Sequence, residues 1–179
     1  LVRVPEKLEH AIEAALGSYA QALVVESWET ASRAIDELRR RVAGWATFLP
    51  LDSLSAPQTK KVPEGEGVLG LAKKLVEYDP HYATVFQLLL GQVIVVQDLH
   101  TAQRIRPHLQ PGQRLVTLSG EIIQSSGMIS GGSPGKRSSL LAQEREWREL
   151  PAQLAALQAE EQNAKARLQK TEQQYEQTK

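Results

Sequence analysis

Cysteine and long apolar runs are both missing from this sequence of 179 residues. Without cysteine there is no disulfide and no thiolate metal site, which is typical of a reducing compartment. No run approaches the roughly 18 apolar residues of a membrane-spanning helix, and no secretory signal opens the chain. The sequence therefore predicts no membrane segment and a cytoplasmic location.

Net charge and aromatic residues are scarce as well. Lys+Arg and Asp+Glu both number 21, so the formal net charge is zero and gives no general attraction to nucleic acid. Phe and Tyr number only 2 and 4, which is too few to build a stacking platform for unpaired bases. Neither the net charge nor the aromatic content indicates a nucleic-acid-binding protein.

Residues that carry out catalysis are not arranged in any known pattern. No two of the histidines have the spacing of metal ligands, and no nucleophile motif is present. A glycine-rich stretch leads to Lys136, but a phosphate-binding loop would need glycine at Ser130 and Ser or Thr at Arg137. We expect no catalytic residue, no metal and no cofactor.

Glycine disappears abruptly along the chain. All 12 glycines precede residue 140, and the remainder is rich in Gln, Glu, Ala and Leu. This change predicts a globular domain over residues 1–139 and a separate helical segment over residues 140–179. Leu1, in place of methionine, suggests that the chain is part of a longer protein.

The globular part contains a weak internal repeat. Each copy predicts a helix ending in Leu-Gly, a strand, a second helix and a second strand, and Val24-Val25 matches Val95-Val96 at an offset of 71. We expect an α+β fold of two pseudo-symmetric mixed α/β subdomains, residues 1–51 and 68–139, joined by a polar connector over 52–67. The alternative is that any two helix–strand units look this similar.

The most informative stretch runs from Gly120 to Gly132. Its glycines are interleaved with strand-like pairs such as Met128-Ile129, and glycine inside a strand marks a bulge or the close approach of another backbone. A small-residue strand at a sheet edge can pair with an edge of a second chain. The candidate dimer-interface residues are Gly120, Gly127, Gly131, Gly132, Met128 and Ile129.

This glycine spacing resembles the signature of the hinge of structural-maintenance-of-chromosomes (SMC) proteins of the bacterial type. Further blocks of residues resemble that family in the same order, namely Leu8 to Gly17, Phe48 to Leu51, and Val116 to Glu121. The resemblance implies an SMC-hinge-like fold that forms homodimers and joins two long coiled-coil arms. The implied role is chromosome condensation and segregation at the nucleoid, with ATP hydrolysis in head domains that this fragment lacks.

A heptad pattern follows residue 140. Positions at alternating spacings of three and four form a seam that is apolar at most places, which predicts a coiled-coil arm, although a single amphipathic helix docked on the domain is an alternative. The predicted seam consists of Leu140, Gln143, Trp147, Leu150, Leu154, Leu157, Glu161, Ala164, Leu168, Thr171, Tyr175 and Thr178. Pro151 predicts a kink or a break near Leu150. By resemblance, the partner strand of this coiled coil precedes Leu1 and is missing here.

Basic residues suggest a second function, weak and non-specific DNA binding. They would have to gather into patches that contact phosphates, and the alternative is scattered solubilising charge. A DNA-binding module that dimerises incidentally is thus the rival to the dimerisation hinge. The candidate DNA contacts are Lys60, Lys61, Lys73, Lys74, Arg104, Arg106, Arg114, Lys136 and Arg137.

Overall fold

The structure is a computed structural model that describes residues 2–132 and part of the remainder. The described residues of that remainder are Leu141, Arg145, 147–151, 153–155, 157–162 and Lys165. The chain divides into two compact units, Leu1–Leu140 and Leu141–Lys179.

The first half of the domain alternates short strands with two helices. Ser27 caps the second helix, because its hydroxyl accepts the Thr30 amide at 3.2 Å. The elements are β1 (Val2–Arg3), α1 (Glu9–Leu16), β2 (Leu23–Val25), α2 (Trp28–Arg41) and β3 (Phe48–Pro50), with 3₁₀ turns at Glu6–Leu8 and Gly17–Gln21.

The second half contains two further helices and the larger sheet. Asp98 caps its second helix by accepting the Thr101 amide at 2.8 Å. The elements are β4 (Val68–Leu71), β5 (Glu77–Tyr78), α3 (Ala83–Leu90), β6 (Val93–Val96), α4 (Leu99–Ile105), β7 (Arg114–Thr117), β8 (Ile122–Gln124) and β9 (Ile129–Ser130), with 3₁₀ turns at Ala72–Lys74, Pro80–Tyr82 and Arg106–His108.

Three sheets organise the described strands. The largest has the order β4-β6-β7-β8-β9, in which β6 and β7 are parallel and the other neighbours are antiparallel. β2 and β3 form a two-stranded parallel sheet, and β1 pairs antiparallel with β5. Both parallel pairs enclose a helix, α2 in the first half and α4 in the second, so each half contains one β-α-β unit.

The two halves correspond residue by residue over several elements. The bounds of α3 follow those of α1 at an offset of 74 (83 − 9 = 90 − 16), and the two preceding 3₁₀ turns share that offset. In the β1–β5 pair Arg3 lies opposite Glu77, which is its own counterpart at 74. A residue that pairs with its own counterpart is what an approximate two-fold axis between the halves produces.

The core lies mainly in the second half. Ile94, Val96, Leu115 and Ile123 are buried on one face of the large sheet, where α4 packs with Ala102 and Ile105. On the other side α1 packs against β7 and α3, and its Ile12 is fully buried. The first half therefore contributes a helix to the core of the second.

Several local expectations require correction. In the first half the sequence predicts the second strand of the repeat from Trp45 to Leu49, ended by Pro50, whereas the strand spans Phe48–Pro50 and Pro50 lies inside the parallel pair. Apolar spacing in the sequence predicts that the helix before this strand reaches Val42, but the helix ends at Arg41, since Val42 adopts a left-handed conformation with φ of 50°. Strand β4 was not predicted, because its short Val-Leu-Gly-Leu run follows a polar connector.

The second unit is helical at every described residue from Leu141 to Lys165. Pro151 is itself helical, and so are 147–150 and 153–155, so the predicted break at this proline is wrong and the kink stays a prediction. Trp147, Leu150, Leu154 and Leu157 are all exposed and follow the predicted seam spacing. The seam positions Leu140, Gln143, Ala164, Leu168, Thr171, Tyr175 and Thr178 lie outside the described residues.

Candidate dimerisation interface

The candidate interface is built on the β8–β9 hairpin at one edge of the large sheet. β9 pairs with β8 through Ile129 opposite Ile123, and no described strand lies on its other side. The peptide groups along that free side are available for pairing with another strand. The predicted interface segment thus lies at a sheet edge.

Two apolar side chains of this hairpin face solvent. Met128 is 58% exposed and Ile129 is 66% exposed, whereas Ile123 on the neighbouring strand is 2% exposed. The opposite edge strand of the same sheet, β4, exposes Leu69 at 43%. Exposed apolar residues on an edge strand are unusual in a chain that acts alone, because edge strands are normally protected against pairing.

The glycines of the hairpin lie at its turn and just after its last strand. Gly127 has φ of 95° and donates its amide to the Gln124 carbonyl at 2.9 Å, which closes the turn. A Cβ on Gly127 would lie 2.7 Å from the Arg106 guanidinium, and one on Gly131 would lie 2.6 Å from the Glu121 side chain. Gly132 has φ of 129° and faces open space.

Gly120 is placed differently from the other three glycines. It closes the turn between β7 and β8 by donating its amide to Thr117, and its φ is 92°. A Cβ there would meet the His10 carbonyl oxygen at 3.4 Å and the Ala14 side chain at 3.5 Å, both on α1. The structure therefore brings Gly127, Met128, Ile129, Gly131 and Gly132 together, and it sets Gly120 against α1.

The candidate DNA contacts are spread over the domain, and several of them bond to the chain itself. The Lys60 ammonium donates to the Pro111 carbonyl, that of Lys73 to Gln87, and the Arg104 guanidinium to the Glu66 carbonyl. Lys61 and Lys74 are exposed, and Arg106 lies beside Gly127. Lys136 and Arg137 lie outside the described residues.

The structure also shows two roles that the sequence did not reveal. The half-buried Arg114 guanidinium donates to the carbonyls of Ala15 at 2.9 Å and Leu89 at 3.4 Å, and burial lowers its pKa. Glu121 accepts a hydrogen bond from the Thr117 hydroxyl, which in turn accepts the Glu121 amide at 3.1 Å and holds the β7–β8 turn. In the sequence, the run from Arg114 to Thr117 predicts an ordinary strand and gives no sign of either contact.

The described residues contain neither a membrane-spanning helix nor a cluster of metal ligands. No helix in this part of the chain is both long and apolar enough to cross a membrane. No three His, Cys, Asp or Glu side chains of the described part are grouped so that they could hold a metal ion.

Comparison with known proteins identifies the family. The family described as "SMC proteins Flexible Hinge Domain" matches residues 1–106. The chromosome partition protein Smc of Bacillus subtilis is 35% identical over 164 residues, which are 88% of this chain and 14% of that protein. Its counterpart from a Synechococcus strain is 38% identical over 142 residues, covering 77% of this chain and 12% of that protein.

Comparison with solved structures also matches the chain to SMC hinge domains. The asymmetric dimer of the Geobacillus stearothermophilus SMC hinge domain matches with a TM-score of 0.79 and 39% identity, over 88% of this chain and 65% of that chain. The Pyrococcus furiosus SMC hinge domain matches with a TM-score of 0.61 and 33% identity, over 77% of this chain and 71% of that one. The chain thus spans only a small part of the curated relatives, and it belongs to the SMC hinge family.

Proposed function

We propose that this hinge domain forms a homodimer that joins two long coiled-coil arms of a chromosome partition protein, acting in the cytoplasm at the nucleoid. Residues 1–139 are the dimerisation domain, with subdomains over 1–51 and 68–139, and residues 140–179 begin the arm. The curated relatives are chromosome partition proteins, and one solved hinge relative is a dimer. The domain's part in that work is to hold two chains together, not to catalyse a reaction.

The observation that carries this proposal is the free edge of β9. It combines strand backbone that no described strand pairs on its outer side with two exposed apolar side chains, Met128 and Ile129, on one short hairpin. A partner strand alongside β9 would pair the backbone groups and remove both side chains from water. The turn at Gly127 holds this hairpin in the shape required.

The arm supports the same assignment. Trp147, Leu150, Leu154 and Leu157 form an exposed apolar row with coiled-coil spacing. In the proposed protein this row packs against an antiparallel helix supplied by the segment that enters the hinge. Each hinge would then carry one two-stranded arm, and a hinge dimer would carry two.

The test is a charge placed at the edge of β9. We expect Ile129→Lys to abolish the dimer at micromolar concentration in equilibrium sedimentation, because an ammonium group cannot be buried unpaired at an interface. The fold should persist, since Ile129 is 66% exposed in the single chain. Substituting Gly127 or Gly132 is a less clean test, because both have positive φ and a side chain would strain the turn.

Leu69→Lys is the matched control. Leu69 is also an exposed apolar residue on an edge strand, but it lies on β4 at the opposite edge of the same sheet. We expect this variant to remain a dimer. If Ile129→Lys remained dimeric, or if both variants dissociated to the same extent, the interface would not lie along β9.

A further inference from the structure

A cavity of about 630 Å³ lies between the polar connector and the second half of the domain. Its walls come from the connector around Lys60, from the loop between Pro111 and Arg114 that leads into β7, and from the turn of the β8–β9 hairpin. Cavities of roughly 300 to 1,000 Å³ are the usual size of small-molecule sites. The two exposed apolar side chains of the hairpin do not line it, so it is distinct from the proposed dimer edge.

The walls of this cavity carry positive charge that no carboxylate balances. Lys60 and Arg114 both line it, and no Asp or Glu is among its described lining residues. Neither cation forms an ion pair within the described part of the chain, because their hydrogen bonds all go to backbone carbonyls. A carbonyl carries only a partial charge, so the cavity keeps a net positive charge.

Arg114 keeps hydrogen-bond donors free for a ligand. Its bonds to the carbonyls of Ala15 and Leu89 both start from Nη2, whereas a guanidinium has five N–H donors on three nitrogens. No buried polar side-chain atom of the described residues lacks a partner, so Nε and Nη1 reach solvent. Burial lowers the pKa of Arg114, and an anion beside it would offset that cost of keeping the cation charged.

Lys60 is held at the cavity by the loop before β7. Its ammonium donates to the Pro111 carbonyl, and a Cβ on Gly112 would lie 4.0 Å from it. The connector beside Lys60 is fixed as well, since the Gln92 side chain donates to the Gln58 carbonyl at 3.4 Å. An ammonium has three donors, so two of them remain for a ligand.

The rest of the lining is neutral. Hydroxyls and amides are supplied by Ser125, Ser126, Gln92 and Gln124, and Leu88 is one of the apolar residues. Arg, Lys, Ser and Gln side chains are the groups that donate to phosphate oxygens in proteins. An apolar wall leaves room for an organic part of the same ligand.

We infer that this cavity binds a small phosphate-bearing molecule, whose phosphate oxygens accept hydrogen bonds from Lys60 and Arg114. Ser125 and Ser126 add neutral donors from the hairpin turn. The ligand is a free small anion and not the DNA backbone, because both cations are partly buried in a recess that a duplex would have to enter. Lys60 then belongs to this cavity and not to a DNA-binding surface.

The test uses inorganic pyrophosphate as the probe. It is titrated into the full chain without divalent cations, at an ionic strength held constant with sodium chloride. We expect the amide NMR signals of Gly112, Ser125 and Ser126 to shift until the site is saturated. Lys60→Gln should weaken pyrophosphate binding at least about tenfold, because a charge-assisted hydrogen bond is lost. Lys61→Gln is the control and should weaken it less than about twofold, since Lys61 is exposed and does not line this cavity.

A second variant leaves the bond between Lys60 and Pro111 in place. Ser126 is exposed, so Ser126→Glu should fold, and its carboxylate should occupy the cationic site and abolish pyrophosphate binding. Ser126→Gln is similar in size without the charge and should still bind. Equal binding by these two variants would overturn the inference. So would equal losses in Lys60→Gln and Lys61→Gln, or no saturable shift in the original chain.

A short DNA duplex distinguishes the two sources of phosphate. At the same concentration of phosphate groups, we expect the duplex neither to shift the amides of Gly112, Ser125 and Ser126 nor to displace pyrophosphate. If the duplex shifts these amides and competes with pyrophosphate, the cavity is a DNA contact and the inference is wrong.

Discussion

Arg114 contacts equivalent positions in the two halves of the internal repeat. Its guanidinium bonds to the carbonyls of Ala15 and Leu89, which are counterparts at the offset of 74 (89 − 15). Each carbonyl belongs to the next-to-last residue of a helix, α1 or α3. The carbonyl ends of helices carry partial negative charge, so one cation serves the ends of both helices and joins the two halves.

Replacing this cation should destabilise the whole domain. We expect Arg114→Met to lower the free energy of unfolding by about 2 kcal/mol, because two carbonyls lose a charged donor. Urea unfolding measures this change. Arg104→Met is the control, since the exposed Arg104 bonds to one surface carbonyl, and it should cost under about 0.5 kcal/mol. Equal losses in the two variants would contradict the role assigned to Arg114.

The helix cap at Asp98 should make stability depend on pH. Two hydrogen bonds to the Asp98 carboxylate hold its pKa below the usual 3.8. The larger effect comes from the Thr101 amide and the next from the Thr101 hydroxyl. A lowered pKa in the folded state stabilises the fold above the ordinary pKa, and the benefit is lost as the pH falls through the folded value. We expect wild type to melt above Asp98→Asn near neutrality, and the difference to shrink as the pH falls below 3.8.

The equivalent cap in the first half provides the control. Ser27 accepts the Thr30 amide without carrying a charge. Ser27→Ala should cost about 1 kcal/mol. We expect that loss to be the same above and below the ordinary carboxyl pKa. A melting difference for Asp98→Asn that does not change with pH would show that the Asp98 charge contributes nothing.

At the scale of elements, the sequence predicted what periodicity and punctuation determine. The strands β2 and β6 follow from the matching pairs Val24-Val25 and Val95-Val96, and the helices α2 and α4 follow from the helix expected after each strand of the repeat. β4 and β5 could not be found in this way. They are short, Gly70 interrupts one of them, and their pairing depends on distant partners.

The candidate site was predictable only in part. The glycines between Gly120 and Gly132 indicated a special backbone, and the structure does contain positive φ at Gly120, Gly127 and Gly132. Spacing alone cannot tell a glycine that lies against a helix of its own chain from one at a free edge. The contact of Gly120 with His10 and Ala14 arises from a separation of more than 100 residues along the chain.

The helix of the second unit should be unstable without its partner. Leu150, Leu154 and Leu157 are exposed along one side of it, and most helical stability in proteins comes from packing such a face. We expect amides from Leu154 to Leu168 to exchange rapidly in the dilute hinge, while buried β6 amides in the same sample remain protected. Strong protection of this segment at low concentration would contradict the missing-partner prediction.

At the scale of the whole molecule, charge predicts weak DNA binding. The formal net charge is zero, and the basic cluster at the end of α2 pairs with acids of its own helix, Arg39 with Asp36 and Arg40 with Glu37. We expect weak, sequence-independent binding that falls steeply with salt. For every two DNA phosphates that the protein neutralises, the affinity for DNA should fall about tenfold as the salt concentration rises from 50 to 200 mM.

Lys61 and Lys74 are the residues with which to test DNA binding, because both are exposed and both are candidate contacts. Replacing both by glutamate should weaken binding in fluorescence anisotropy at low ionic strength. Arg33→Glu, on the exposed side of α2, is the control and should have a smaller effect. Affinity that does not change with salt, or no binding at low ionic strength, would contradict this prediction.

The packing of α1 has a consequence for synthesis on the ribosome. Ile12 and its neighbours are buried against α3 and β7. The Ala15 carbonyl accepts its hydrogen bond from Arg114, which is 99 residues further along the chain. At translation rates of about 5–20 residues per second, this partner emerges roughly 5–20 s after Ala15. The nascent first half therefore carries an uncovered apolar helix for that interval, and exposed apolar surface of this kind makes unfinished chains prone to aggregate.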